Sequence, residues 1–100
     1  MRKVVYRPAA IEDLRAIAHY IADDNPSRAL SFVDELQSVA QVAAERPASF
    51  PARPDLAQGL RVARHGRYLL FFLYSEDQVE IVRVLHGARD LGNAFSQAEE

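Results

Sequence analysis

The chain has no cysteine. That excludes a disulfide framework and any thiolate metal site, and it suits a reducing compartment. Lysine is almost missing too: Lys3 stands alone against 11 arginines. Two readings of that bias stay open, a skewed codon pool and selection for guanidinium chemistry. Long apolar runs are absent. The longest, YLLFFLY from Tyr68 to Tyr74, falls far short of the roughly 20 residues a membrane-spanning helix needs. The opening MRKVVYRPAA is basic but leads into no apolar or cleavage-like region, so it does not read as a secretory signal. A cytoplasmic location is the expectation. There is no glycine-rich phosphate loop, and no serine sits in the glycine frame of a nucleophile elbow. Nor does one sign of charge dominate. The formal net charge is -2, so the chain has no global attraction to nucleic acid, and sequence-specific nucleic-acid binding is not expected.

What remains reads as a soluble globular domain, 49% hydrophobic and 26% charged over 100 residues. One domain over 1–100 is expected, with a polar tail from about 92 to 100. KVVY, Lys3 to Tyr6, is a short strand-like run that ends at Arg7-Pro8. Proline suits the first turn of a helix and holds the residue before it extended. Ile11, Leu14, Ile17, Ala18 and Ile21 then recur at helical spacing, which predicts a helix from about Ala9 to Asp24. Asn25-Pro26 starts a second helix with a capping residue. Its apolar face runs from Ala29 through Phe32 and Leu36 to Ala43, and Pro47 stops it. So short a link packs the two helices antiparallel. RPASFPARPDLAQG, Arg46 to Gly59, is an irregular crossing long enough to suggest a helical turn inside it. Leu60 to Arg64, Arg67 to Tyr74 and Val79 to His86 form a three-strand antiparallel meander, with His65-Gly66 as a two-residue turn. The predicted class is α+β, ordered β-α-α-β-β-β, with a helical hairpin on one face of a small antiparallel sheet.

That turn would set Arg64 opposite Arg67, an unfavourable like-charge pair that an anionic partner would offset and that water would screen. Alternation along the central strand puts Leu69, Phe71 and Leu73 on the face away from Tyr68, Leu70 and Phe72. On the last strand, Val79, Ile81 and Leu85 share one side and Val82 and Val84 the other. Both faces of the sheet are therefore apolar, and one helical hairpin covers only one. Either the segment around Leu91 and Phe95 folds over the second face or a partner chain does.

Candidate chemistry is sparse. His19 and Asp23 are four apart on a helix, but nothing completes a metal set, and no metal or other cofactor is expected. His65 reads as an exposed turn residue. Asp34-Glu35 reads as solvated helix surface. His86, with Arg89 and Asp90 close behind, admits two readings. It is a strand-end histidine held by backbone, or a general acid–base beside phosphate-holding arginines. The residues taken alone describe a partner-binding domain with an arginine-rich hairpin.

The spacing DLRAIAHYIADDNPSRA, the GRY before the central strand and the closing RVLHGARD together resemble the ParE branch of the RelE/ParE superfamily of type II toxins, from about Tyr6 to Leu91. The resemblance implies a toxin of a toxin–antitoxin system, neutralised by a cognate antitoxin and associated with growth inhibition and plasmid stabilization. For the ParE branch it implies a protein inhibitor of DNA gyrase rather than an enzyme, with no catalytic residue. For the RelE branch it implies a ribosome-dependent mRNA endonuclease, in which Arg61, Arg67, His86 and Arg89 would be catalytic. The absence of lysine after Lys3 and of tyrosine after Tyr74 departs from that second pattern. An inactive homologue that only binds antitoxin is the third alternative. Target or antitoxin binding is expected of Arg61, Arg64, Arg67, Leu69, Phe71, Leu73, His86, Arg89 and Leu91.

Overall fold

The computed structural model describes residues 2–88 and 90. β1 is Lys3–Tyr6, α1 Pro8–Ala22, α2 Pro26–Glu45, and a 3-10 turn covers Pro47–Ser49. β2 is Arg61–His65, β3 Tyr68–Tyr74 and β4 Gln78–His86. The order is β-α-α-β-β-β, and both helices pack on one face of a four-stranded sheet ordered β1-β4-β3-β2. The meander is antiparallel as expected, but β1 runs parallel to β4, so the sheet is mixed. Two helices intervene between β1 and β2, so the chain can return to β4 from the far side in the parallel sense.

Local chemistry sets the helix ends. Arg7 is extended ahead of Pro8. The Asn25 side chain accepts the Arg28 N–H at 3.1 Å, satisfying one of the orphan donors of the first turn. α2 stops at Glu45, where Arg46 leaves helical geometry before Pro47. Ala29, Ala40, Ala43 and Ala44 are buried on α2, and such small side chains let the helix approach the sheet closely. Phe32 and Leu36 fill the space between them against Leu70, Phe72, Val79 and Ile81. Burial of each of these larger side chains contributes about 1.5–3 kcal/mol.

Three further features of the sheet differ from the sequence reading. The turn is Gly66-Arg67, and His65 pairs with Tyr68 to close it. Gly66 has φ +59, the sign that the first central position of a type II′ turn requires. His65 would be strained there, so the turn moves by one residue. Arg64 then faces Leu69, and the opposed arginine pair does not exist.

The second difference is a bulge in β4. Phe71 pairs with Arg83 and Phe72 with Ile81, which leaves Val82 as the extra residue. A bulge resets the alternation of side chains. Val84 therefore joins Val79 and Ile81 on the helix side, while Leu85 joins Val82 on the other.

The third concerns the second face. Leu60, Phe71 and Leu85 are buried there, flanked by half-buried Leu56, Val62, Leu69, Leu73 and Val82. The crossing after α2 folds back over this face. The Arg53 N–H donates to the Leu60 carbonyl at 2.8 Å and the Val62 N–H to the Pro51 carbonyl at 3.0 Å. These bonds bring Leu56 and Leu60 onto the sheet. The face is half-covered by the chain's own crossing rather than bare, so it does not by itself demand a companion chain. Leu91 and Phe95, the other cover considered, lie outside the described residues.

Candidate functional site

The β2–β3 turn and the end of β4 meet at one end of the sheet. The Gly87 N–H donates to the Arg67 carbonyl at 3.0 Å, which ties the turn to the chain leaving β4. The β4 bulge has its main consequence here. Without it, His86 would lie on the second face. With it, the ring stands edge-on to Tyr68 at 5.4 Å between centroids. The His86 N–H donates to the Asp90 carboxylate at 3.1 Å, and the Asp90 N–H donates to the His86 carbonyl at 3.0 Å. The backbone-held strand end is therefore present. The ring Nδ1 is buried and has no hydrogen-bond partner among the described residues, a costly state for a polar atom.

Two grooves open on either side of this point. The first, about 560 Å³, lies between the end of α1, the start of α2 and the sheet, lined by Tyr20, Ile21, Arg28, Phe32, Arg67, Tyr68 and His86. The second, about 410 Å³, is lined by Arg64, Arg67, Leu69, His86, Gly87 and Ala88. Arg67 and His86 belong to both and form the ridge between them.

The electrostatics are uneven. Five arginines are matched to carboxylates: Arg7 to Glu80, Arg15 to Glu12, Arg28 to Glu35, Arg53 to Asp55 and Arg83 to Asp13. The Arg7 guanidinium holds Glu80 below the usual carboxylate range. At the hairpin the Arg64 Nε donates to the Gly66 carbonyl at 3.1 Å, and among the described residues neither Arg64 nor Arg67 meets a carboxylate. The hairpin end is therefore locally cationic on a chain of net charge -2.

Glu35 bridges this region to α2. Its carboxylate accepts from Arg28 and from His65 Nε2, the latter at 2.7 Å. The Arg28 hydrogen bond, followed by that of His65, holds Glu35 down to about 2. Arg28 also lies over the Phe32 ring at 5.1 Å, and Phe32 packs against His65 and Tyr68. Beneath the groove, Asp13 of α1 takes two bonds from Arg83 at 2.7 and 2.9 Å and one from the Val84 N–H at 2.9 Å. Asp13 thus pins α1 to β4 just before His86, and it raises Arg83 above its ordinary value.

The structure gathers four of the expected residues, Arg64, Arg67, Leu69 and His86, around the second groove. Arg61 lies apart. Its guanidinium donates to the Phe50 carbonyl at 2.6 Å and sits over Tyr74. Phe71 is wholly buried, so it supports the second face from beneath. Leu73 lies farther along that face, where a Cβ placed on Gly59 would come within 3.6 Å of its Cδ2. Arg89 and Leu91 lie outside the described residues. His19 and Asp23 are exposed on α1 and just beyond it. Among the described residues no three histidine, aspartate or glutamate side chains are grouped to hold a metal, and no helix is long and apolar enough to cross a membrane.

Sequence reasoning missed the helical contributors Tyr20, Arg28, Phe32 and Glu35. It also set His65 aside as an exposed turn residue, whereas His65 is half-buried against Glu35. One signal was available: Arg28 and Glu35 stand seven apart, two turns along one face of a helix.

The family model for the ParE toxin of type II toxin–antitoxin system, parDE, matches residues 4–91. Among solved structures, a chain of a chromosomal ParDE toxin–antitoxin system from P. aeruginosa shares the fold, with a TM-score of 0.71 and 21% identity over 86% of this chain and 96% of that chain. No curated protein sequence matches significantly.

Proposed function

The chain belongs to the ParE toxin family of type II toxin–antitoxin systems, and from that premise we propose that it inhibits DNA gyrase in the cytoplasm and is neutralised by direct binding of its antitoxin. The observation that carries the reading is the hairpin end of the sheet. Arg64 and Arg67 present guanidinium groups with no carboxylate partner among the described residues, beside half-buried Leu69 and the two grooves. A cationic rim around apolar walls suits an acidic protein surface. Contacts of this kind depend on salt and speed association.

One observation favours a second reading, an RNA-cleaving toxin. His86 shares the ridge with Arg67 and lines both grooves, where an imidazole within reach of a bound phosphodiester could transfer a proton. A single experiment separates the two. The chain is expressed without antitoxin, and growth, message integrity and supercoiling by purified gyrase are followed together. Gyrase inhibition with intact messages is the expected result. Cleaved messages with gyrase unaffected would overturn the first reading, and loss of that cleavage in His86→Ala would establish the second. Normal growth would indicate a homologue that only binds antitoxin.

A further inference from the structure

We infer that Asp13 and Asp90 cap the free half of β4, and that these two carboxylates keep a second copy of the chain from joining the sheet at that edge.

β4 runs for 9 residues and its neighbour β1 for 4. Their parallel pairing ends at Tyr6 and Ile81. The Arg7 N–H makes the last bond, to the Ile81 carbonyl at 3.0 Å. Pro8 then turns the chain into α1, with no N–H of its own to continue the ladder. Beyond Ile81, β4 pairs only with β3, so its last part is an edge of the sheet. Two of its outward N–H groups are taken by side chains. Val84 donates to the Asp13 carboxylate at 2.9 Å and His86 to the Asp90 carboxylate at 3.1 Å. The Asp90 N–H returns a bond to the His86 carbonyl at 3.0 Å. Each carboxylate stands where the carbonyl of a further strand would. Because a carboxylate accepts and does not donate, it satisfies the edge without extending the ladder.

One guanidinium lies between the two caps. Two bonds from Arg83 hold Asp13 in place. Those bonds raise Arg83 above its ordinary value, and the Asp90 charge adds to the shift. A groove of about 270 Å³ opens beside the edge, with Asp13, Tyr20, Tyr68, Val84 and Asp90 among its walls. Space for an approaching backbone therefore exists among the described residues.

The uncapped edge would match itself. Exposed edges pair readily with other chains, and VRVLH, residues 82–86, is apolar and rich in strand-forming side chains. Two copies set antiparallel about an axis at Leu85 place Val84 of each opposite His86 of the other. Both outward residues then make closed hydrogen-bonded pairs, which use the same groups that Asp13 and Asp90 now hold. Arg83 falls opposite Gly87, so no like charges meet. Leu85 meets its counterpart on the second face and joins the two apolar clusters into one. The contact closes on itself as a dimer.

Asp90→Ala removes one cap and leaves Asp13 in place. Adding Asp13→Ala with Arg83→Met removes the second cap together with the charge it would strand. Amide exchange at Val84 and His86 is followed with sedimentation equilibrium over a range of protein concentration. In the wild type both amides should exchange slowly, at rates independent of concentration. In Asp90→Ala at low concentration the His86 N–H should exchange about tenfold faster, and Asp90→Asn, which keeps an acceptor oxygen, should restore most of the protection. In the triple variant both amides should open when dilute and regain protection as a dimer forms at higher concentration. Unchanged His86 exchange in Asp90→Ala overturns the inference without requiring the triple variant to fold. So does a folded triple variant that stays monomeric throughout, or a wild-type chain whose Val84 and His86 amides gain protection with concentration.

Discussion

Replacing Asp13 with alanine should be among the most damaging single changes in this chain, although Asp13 is a polar residue on a helix. Its side chain is only 13% exposed, and that of its partner Arg83 is 30% exposed. Three hydrogen bonds converge on it, two from Arg83 and one from the Val84 N–H. The substitution leaves a half-buried Arg83 without its counter-charge, which costs about 3–5 kcal/mol where burial is complete. It also leaves the Val84 N–H without its acceptor, at about 1–3 kcal/mol. The exposed part of Arg83 can recover water, so the total should fall at the lower end, about 3 kcal/mol. Domains of this size hold about 5–15 kcal/mol in all. At about 4–8 °C per kcal/mol, the melting temperature should drop by roughly 12–24 °C, with a matching fall in the urea midpoint of about 1.5 M. Arg83→Met added to Asp13→Ala should recover part of that loss, because the orphaned charge is then gone. Paired urea and thermal unfolding of the wild type, both single variants and the double variant give the coupling energy directly. An Asp13→Ala variant within about 1 kcal/mol of wild type, or a double variant no more stable than Asp13→Ala, would refute the reasoning.

The Glu35 bridge gives a pH prediction with a definite sign. Its folded value of about 2 lies below the ordinary 4.5, so its contribution is complete above pH 4.5 and is lost as pH falls toward 2. Glu35→Gln should flatten that stretch of the stability curve; an acid limb identical to wild type would show that the bridge does not couple to folding. At the hairpin, Gly66→Ala should cost about 1 kcal/mol from backbone strain alone, since φ is +59 and no atom lies within 4 Å of the added Cβ. Gly66→Asn should cost less, because asparagine tolerates this region better; chemical denaturation of the two variants ranks them, and equal stability for wild type and alanine would contradict the turn assignment.

Most of the architecture was legible in the pattern of residues because its causes are local. Pro8, Asn25-Pro26 and Pro47 mark helix ends through backbone geometry and capping. The apolar spacing of Ile11 to Ile21 and of Ala29 to Ala43 marks the buried faces. YLLFFLY announces a strand buried on both sides. The hairpin was misplaced by one residue because two adjacent positions competed for the turn, and glycine's tolerance of positive φ decided between them. The β4 bulge left no mark in a run as uniform as VEIVRVLH, where strand propensity is similar throughout. That single extra residue reversed the sides of Val84 and Leu85 and turned His86 toward Tyr68.

The candidate site divides along the same line. Arg64, Arg67, Leu69 and His86 could be named from the sequence because they flank one turn and one strand end. Tyr20, Arg28, Glu35 and Asp13 could not, since each acts across a distance of at least 30 residues in the chain, on His65, Arg67, Tyr68, Arg83 or His86. Sequence alone determined the class of the domain, its order of elements and its likeness to a toxin family, because hydrophobic spacing and turn chemistry are properties of neighbouring residues. Only the tertiary structure decided which arginines are already neutralised and how far the crossing covers the second face. Those depend on where carboxylates and carbonyls from distant segments arrive, and proximity of that kind is fixed only when the whole core packs.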